Sequence, residues 1–477
     1  MCASEIADAF NRTCRDRRSD VAIAWLAESR GITFSDIHDE YLQMLASFRR
    51  LGIRAGDCIV SAVGNHPAFF PLLAAAMETG AALLPLGEAT EAETLAILDK
   101  SGAAAIVRID TIDRGVSVVR VRDQPPADQY GRSVVIKLTS GSTDLPKATL
   151  AGERAVIADA RSITSGMTIR PNDINLAVIP LSHAYAIGNI VVPLILQGTR
   201  AALRPTFNPA QFADDARVSG ATVFAGVPFM FDRLRGSIDE TPLPSSLRLL
   251  ITPGARIDPE TVRWFHARGR KLHSFYGASE TGGITYDETD ALPELLHVGR
   301  PLPGVTIDMV PESAVSEGGR VFVKSGGMAN GYATTSASDE AAAFQNGGFL
   351  TGDVGHLNGD GQLVLTGRVS PLVNVAGRKV DPAEIERVLT NLPDVADARV
   401  VGIDCATRGQ ELVAFVRPPS PSLTPLSLRR SCARTLSPYK IPRRFIFLEQ
   451  WPVDARGKVD KRALQALATG ATEDSGS

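Results

Sequence analysis

The sequence predicts an α/β protein of two or more domains, and three observations carry that expectation. Short β-branched or apolar runs alternate with stretches of helical period through the N-terminal two thirds of the chain. Such alternation calls for a mostly parallel sheet covered by helices on both faces. The 477 residues exceed what one hydrophobic core organises. An apolar share of 44% with 6% aromatics suits a soluble α/β enzyme rather than a fibrous or membrane protein.

Taken in order, Ile37, Tyr41, Leu45 and Phe48 recur at helical spacing after Ser35, and Gly52 ends that run. A strand over 58–63, a helix over 67–79 stopped by Gly80, a strand over 81–85, a helix over 91–100 and a strand over 104–107 follow. Val134, Val135 and Ile136 read as a buried strand. Further strands are expected over 175–178, 201–203, 222–224, 249–251 and 272–275, with helices between them. Beyond Leu296 short strands and turns take over, at 299–304, 321–323 and 331–332, so a small β unit closes the large domain. A hairpin turn at 358–361 leads into a strand over 363–365. The stretch 367–371 marks a boundary between a large domain, 1–369, and a small α+β domain, 370–477. The small domain is expected to hold helix 382–390, strands 398–403 and 412–416, and helix 427–435.

Charge and cysteine usage exclude several classes. With 50 Lys+Arg against 53 Asp+Glu the net charge is −3, so neither a nucleic acid nor an anionic membrane is demanded as partner. The five cysteines are odd in number and form no C-x-x-C pair, which reads as reduced thiols in a cytoplasmic protein without disulfides or zinc. Residues 1–18 carry acids and bases throughout and lack the apolar core of a signal peptide. The greasiest run, 69–86, is interrupted by Pro71, Glu78 and Gly80 and does not suit a membrane span.

Several motifs carry chemistry. Leu138 leads into Thr139, Ser140, Gly141, Ser142 and Thr143, and after Asp144, Leu145 and Pro146 the loop ends at Lys147. Hydroxyls and free amide N–H groups around a glycine make a cradle for phosphate oxygens, and a lysine adds a point charge. The spacing differs from G-x-x-x-x-G-K-[ST], which argues against a kinase or motor ATPase; read alone, the loop could equally be a polar surface turn. His183 stands in the segment 180–186 after an expected strand, a place where histidine is commonly structural. Gly254 and Ala255 follow strand 249–251, where small residues would let a flat ring lie against the backbone. Tyr276, Gly277, Ser279 and Glu280 follow strand 272–275, at the end of an α/β sheet where ligands bind. Tyrosine offers a stacking face, and a hydroxyl with a carboxylate offers hard oxygen ligands for Mg²⁺. Asp353, Arg368 and, near the C-terminus, Lys458 are ordinary polar-loop residues on their own.

Together these motifs resemble, in order and over Thr139 to Arg462, those of the adenylate-forming superfamily of acyl- and aryl-CoA synthetases, peptide-synthetase adenylation domains and luciferases. The hydroxyl loop is similar to its [ST]-S-G-[ST]-T-G-x-P-K-G, the tyrosine motif to Y-G-x-[TS]-E, the Asp353 segment to T-G-D, and 452–462 to P-x-x-x-x-G-K-[IV]-x-[RK]-R. The resemblance implies a large multi-sheet α/β domain with a small β unit and a mobile α+β C-terminal domain. It implies ATP, Mg²⁺ and CoA, or a carrier-protein phosphopantetheine, as cofactors, and a small carboxylic acid as substrate. Thr139 to Thr143 and Lys147 would then hold the departing pyrophosphate, and Gly254, Ala255 and Tyr276 with Gly277 the adenine; Ser279 would join the cofactor-binding residues beside Glu280, which would hold the Mg²⁺. Asp353 and Arg368 would hold the ribose, and Lys458 would bridge carboxylate and α-phosphate. His183 joins Lys458 as a residue of the reacting centre by walling the acyl pocket, which positions around His183, Val227 and Gly277 would line; no acid or base role is assigned to it.

The expected activity is ATP-dependent formation of an acyl-adenylate with release of pyrophosphate, then transfer to a thiol. CoA is the first acceptor considered and an acyl carrier protein the alternative; a degenerate nucleotide-binding relative is a third reading. It is prompted by departures from the resembled motifs: Asp144 and Ala148 replace glycines, Ser370 and Pro371 replace the two hinge acids, and Asn374 replaces a lysine. The acid itself is not named by these residues.

Overall fold

In the computed structural model of this chain, the described residues are all except 1–3, 88, 90, 111–114, 124–129, 139–147, 238–241, 254–256, 290–296, 312–317, 334–342, 369–372, 376–377, 381, 393, 406–408, 418–422, 437, 454–458 and 471–477. Two compact units divide it: 1–309 with 321–351 and 356–365, and 310–320 with 352–355 and 366–477.

Among the described residues, the first unit holds a nine-stranded and a seven-stranded sheet. In the nine-stranded sheet, Leu272–Ala278, Leu249–Pro253, Val223–Ala225, Ile174–Ala177, Arg200–Leu203 and Val21–Trp25 run parallel side by side. Antiparallel strands finish both flanks, Gly282–Tyr286 and Arg300–Pro301 on one side and Arg30–Thr33 on the other. The seven-stranded sheet has the same plan: Ser133–Leu138, Ala82–Pro85, Cys58–Ala62 and Ala105–Ile109 are parallel. Val116–Arg120 closes one flank; Ala148–Gly152 and then Gly331–Tyr332 close the other, all antiparallel. The α/β class therefore holds, and the large unit has more than one sheet, as the resemblance implies.

Local rules explain most elements. Helix Phe34–Arg50 starts at a capping box in which Thr33 and Asp36 exchange side-chain and backbone hydrogen bonds. Helix Phe69–Thr79 is apolar on every side, so Phe69 to Met77 are all buried, and it ends on Gly80 at φ +73°. The apolar run 69–86 is thus a core helix followed by a core strand; among the described residues no helix is long and apolar enough to cross a membrane. Two N-terminal elements lack a counterpart in the expected pattern: helix Glu5–Asp16, capped by Ser4, and the hairpin of Val21–Trp25 with Arg30–Thr33.

The second unit carries a five-stranded sheet in which Arg378–Val380, Val373–Val375, Gly409–Arg417 and Asp397–Cys405 are antiparallel neighbours and Arg444–Phe447 runs parallel to Gly409–Arg417. Helices Pro382–Thr390 and Pro425–Ala433 supply Ile385, Leu389, Leu428 and Cys432 to its core.

Candidate functional site

The site is built on the hairpin of Leu272–Ala278 and Gly282–Tyr286. Gly277 pairs with Gly283 and Ala278 with Gly282, which leaves Ser279, Glu280 and Thr281 as the turn. The tyrosine motif therefore extends the strand itself, and that strand is flanked on both sides. Glycine is required twice for the tightness of this turn. A Cβ on Gly277 would stand 2.9 Å from the Gly282 carbonyl oxygen, and Gly282 has φ +72°. Tyr276 is buried in a cluster with Ile251, Phe275 and Ile284, whereas Ser279 and Glu280 are half-buried at the tip.

Glu280 is held from its backbone and its side chain. Ala329 N–H donates to its carbonyl at 2.7 Å, and the Tyr332 hydroxyl donates to its Oε1 at 2.9 Å. Ser325 Oγ donates to the neighbouring Thr281 carbonyl at 2.7 Å. Tyr332 lies opposite Thr149 in the pairing of Gly331–Tyr332 with Ala148–Gly152. Ala148–Gly152 in turn pairs with Ser133–Leu138, ending at Leu138 opposite Ala148. These two strands are the stem of the 139–147 loop, so the carboxylate is fastened beside that stem.

Behind the turn lie two buried charges. Lys137, on the strand entering the loop, is 4% exposed, and Asp159, on helix Glu153–Gly166, is 7% exposed. Asp159 Oδ1 accepts the Gly283 N–H at 2.8 Å. Burial pulls the Lys137 ammonium's pKa down, opposed first by the charge of Asp159 and then by that of Glu280. Burial likewise pushes the Asp159 carboxyl up, opposed by Lys137 and the Gly283 N–H. Neither residue was singled out from the sequence. The available signals were a lysine directly after an apolar β-branched run, and an aspartate four residues from Ala155 on a helix's apolar face.

His183 caps the short helix Ala184–Ala186, where it is exposed; its N–H bonds the Pro180 carbonyl at 3.0 Å. Leu181 and Ala186 of that segment are buried in the core, and Tyr185 is half-buried against it. The Tyr185 ring stacks on Phe275 at 5.4 Å and 23°, and its hydroxyl donates to the Ile251 carbonyl at 3.4 Å. Burial pushes this phenol's pKa up.

The structure thus brings Tyr276, Gly277, Ser279 and Glu280 together on one hairpin, with His183 elsewhere in the same unit. Asp353, half-buried on strand Gly348–Leu357, and Arg368, last residue of Leu363–Arg368, belong to the second unit. Thr139, Ser140, Gly141, Ser142, Thr143, Lys147, Gly254, Ala255 and Lys458 lie outside the described residues, as do Asp144, Ser370 and Pro371.

The donor set at the turn suits Mg²⁺. Among the described residues no group of three His, Cys, Asp or Glu side chains is arranged to cage an ion. A single half-buried carboxylate beside a hydroxyl is what Mg²⁺ uses when phosphates and water complete its octahedron. Glu280 and Ser279 would supply the protein's share.

Comparison with known proteins bears on the whole chain. The pattern of the AMP-binding enzyme family matches residues 10–333, and that of the AMP-binding enzyme C-terminal domain matches residues 384–458. The sequence is similar to the 2-succinylbenzoate–CoA ligase of Geobacillus kaustophilus, 27% identical over 91% of this chain and 93% of that protein. It is also similar to the indoleacetate–CoA ligase of Aromatoleum aromaticum, 30% identical over 70% of this chain and 67% of that protein. In fold it resembles a Mycobacterium tuberculosis fatty acyl CoA synthetase (TM-score 0.78, 22% identity, 98% of each chain). It likewise resembles the o-succinylbenzoate CoA synthetase of Bacillus subtilis in complex with its acyl-adenylate intermediate (TM-score 0.77, 22% identity, 96% and 97% of the chains).

Proposed function

Since the chain belongs to the AMP-binding enzyme family, we propose that it activates a small carboxylic acid with ATP and passes the acyl group to CoA. The carboxylate attacks the α-phosphate, forming the acyl-adenylate and releasing pyrophosphate; the CoA thiol then displaces AMP. CoA is favoured over a carrier-protein thiol because the similar relatives named above are CoA ligases. Both steps need charge stabilisation and alignment more than covalent chemistry by the protein.

One observation carries this reading: Glu280 is tied by Tyr332 to the strand leaving the hydroxyl loop and shares a charge interaction with Lys137 on the strand entering it. A carboxylate fixed next to a phosphate-cradling loop is the arrangement that a Mg·triphosphate requires. When bound there, Mg²⁺ would neutralise charge on the phosphate oxygens. In this reading Thr139, Ser140, Gly141, Ser142, Thr143 and Lys147 grip the pyrophosphate, and Ser279 stands with Glu280 at the Mg²⁺. Gly254, Ala255, Tyr276 and Gly277 bind adenine, Asp353 and Arg368 the ribose. Lys458 bridges carboxylate and α-phosphate, and His183 walls the acyl pocket. A division into 1–369 and a mobile 370–477, and a cytoplasmic location, complete the proposal.

ATP–pyrophosphate exchange over a panel of acids tests it, starting with 2-succinylbenzoate, indoleacetate and fatty acids of graded length. Acid-dependent exchange is expected, with CoA-thioester formation on adding CoA. No exchange with any acid, in protein that binds ATP, would support the degenerate reading instead.

A further inference from the structure

The buried pair behind the hairpin is not used by any step above, yet it is placed to control the site. Asp159 sits in a socket of glycines. A Cβ on Gly282 would come within 2.3 Å of its Oδ1, one on Gly188 within 2.9 Å of its Oδ2, and one on Gly327 within 3.1 Å of its Cβ. Three separate segments have been cleared of side chains around one carboxylate. That carboxylate makes a hydrogen bond into the hairpin, to the N–H of Gly283, the residue paired with Gly277. Its opposite charge, Lys137, belongs to the strand that enters the 139–147 loop.

We propose that Asp159, with Lys137 as its buried counter-charge, is a positioning residue for the Mg·ATP site. Through the Gly283 N–H it fixes where the Ser279–Thr281 turn, and so Glu280, stands relative to the stem of the loop. The inference rests on the proposed function, since it assumes that Glu280 and the loop share one Mg·triphosphate. Neither residue touches substrate or metal in this scheme. A neutral apolar pair could fill the same space, often at no loss of stability. The feature that such a pair could not reproduce is an acceptor for the Gly283 N–H.

The test uses two neutral double substitutions, because either single one would leave an uncompensated charge in the core. Lys137→Met/Asp159→Asn keeps an acceptor for Gly283; Lys137→Met/Asp159→Leu fills the space without one. ATP is titrated calorimetrically into each full-length variant and the wild type, in excess Mg²⁺ and in EDTA, with melting temperatures alongside. Both pairs lose the Lys137 charge beside Glu280, so they are compared with each other, and the Asn pair should keep the larger gain in ATP affinity on adding Mg²⁺. The Leu pair should lose on the order of tenfold of that gain, the cost of one orphaned buried donor, with metal-free ATP affinity unmoved. If the Leu pair does not fold, Lys137→Met/Asp159→Ala, which leaves space instead of filling it, should show the same selective loss. Equal Mg²⁺ gains in the Asn pair and the acceptor-free pair would overturn the inference, as would equal losses with and without Mg²⁺. A wild-type chain that binds no Mg·ATP would overturn the proposed function itself, and the inference with it.

Discussion

Replacing Tyr332 by Phe removes one oxygen, and the structure says what that oxygen does. Its hydroxyl donates to Glu280 Oε1 at 2.9 Å. The ring itself packs edge-on against Phe344, centroids 5.4 Å apart at 69°, and phenylalanine keeps that contact. Fold stability should therefore change little, while the carboxylate loses the donor that orients it. A hydrogen bond to a charged group contributes about 1.5–3 kcal/mol. Glu280 is half-buried, so water replaces part of it, and a net loss of about 1–2 kcal/mol is expected. At ~1.4 kcal/mol per decade that is roughly a 5- to 30-fold fall in adenylate formation at limiting Mg²⁺. Single-turnover rates across a Mg²⁺ titration measure it, beside a thermal melt. Glu280→Gln is the control. It keeps an acceptor for Tyr332 but loses the charge, so its own loss should be larger, on the order of 10²–10³. Adding Tyr332→Phe to Glu280→Gln should then cost little more. An unchanged rate in Tyr332→Phe alone would refute the reasoning, as would a melting temperature that drops in step with the rate.

Four further outcomes are expected. Lys458→Ala should cut adenylate formation by about 10²–10³ while sparing transfer from supplied acyl-adenylate; equal losses in both half-reactions would remove the bridging role. Ser370→Pro, next to Pro371, fixes a second φ near roughly −65° at the expected hinge. It should trap one pose, so pyrophosphate exchange and thioester formation should diverge; equal retention of both would place the hinge elsewhere. Asp144→Gly removes a like charge beside the pyrophosphate, worth about 1 kcal/mol at 4 Å in water. It should lower the KM for ATP, and an unchanged KM would mean that Asp144 points away. The fourth concerns pH. Burial pushes the Glu40 carboxyl up from 4.5 to about 7, against the lowering effect of Arg30. Between those values the folded state binds more proton than the unfolded one, so stability from this group is present at acid pH and lost as pH rises through 7. Glu40→Gln should raise the melting temperature at about pH 8 and leave it unchanged near about pH 4; the same shift at both would show that packing, not protonation, is responsible.

The α/β class, most strand and helix positions and the motif residues were legible in the residues themselves. These follow from interactions within a few residues of one another. Helix Pro382–Thr390 has the expected bounds because proline at its start and the Ile385 and Leu389 spacing are local signals. Partnerships between distant segments were decided only in the tertiary structure. A β-strand's period tells which side chains face inward but not which strand lies beside it. Hence how the strands divide among the sheets is not written in their periods. Val21–Trp25 found its place next to Arg200–Leu203, and both sheets acquired antiparallel flanks. The hydroxyl that steadies Glu280 comes from 52 residues away, on a two-residue strand whose pairing no local rule specifies. Lys137 and Asp159 show the limit most plainly. Alone, each is a charge whose burial would be too costly, and it is the partner supplied by the fold that makes the position tenable.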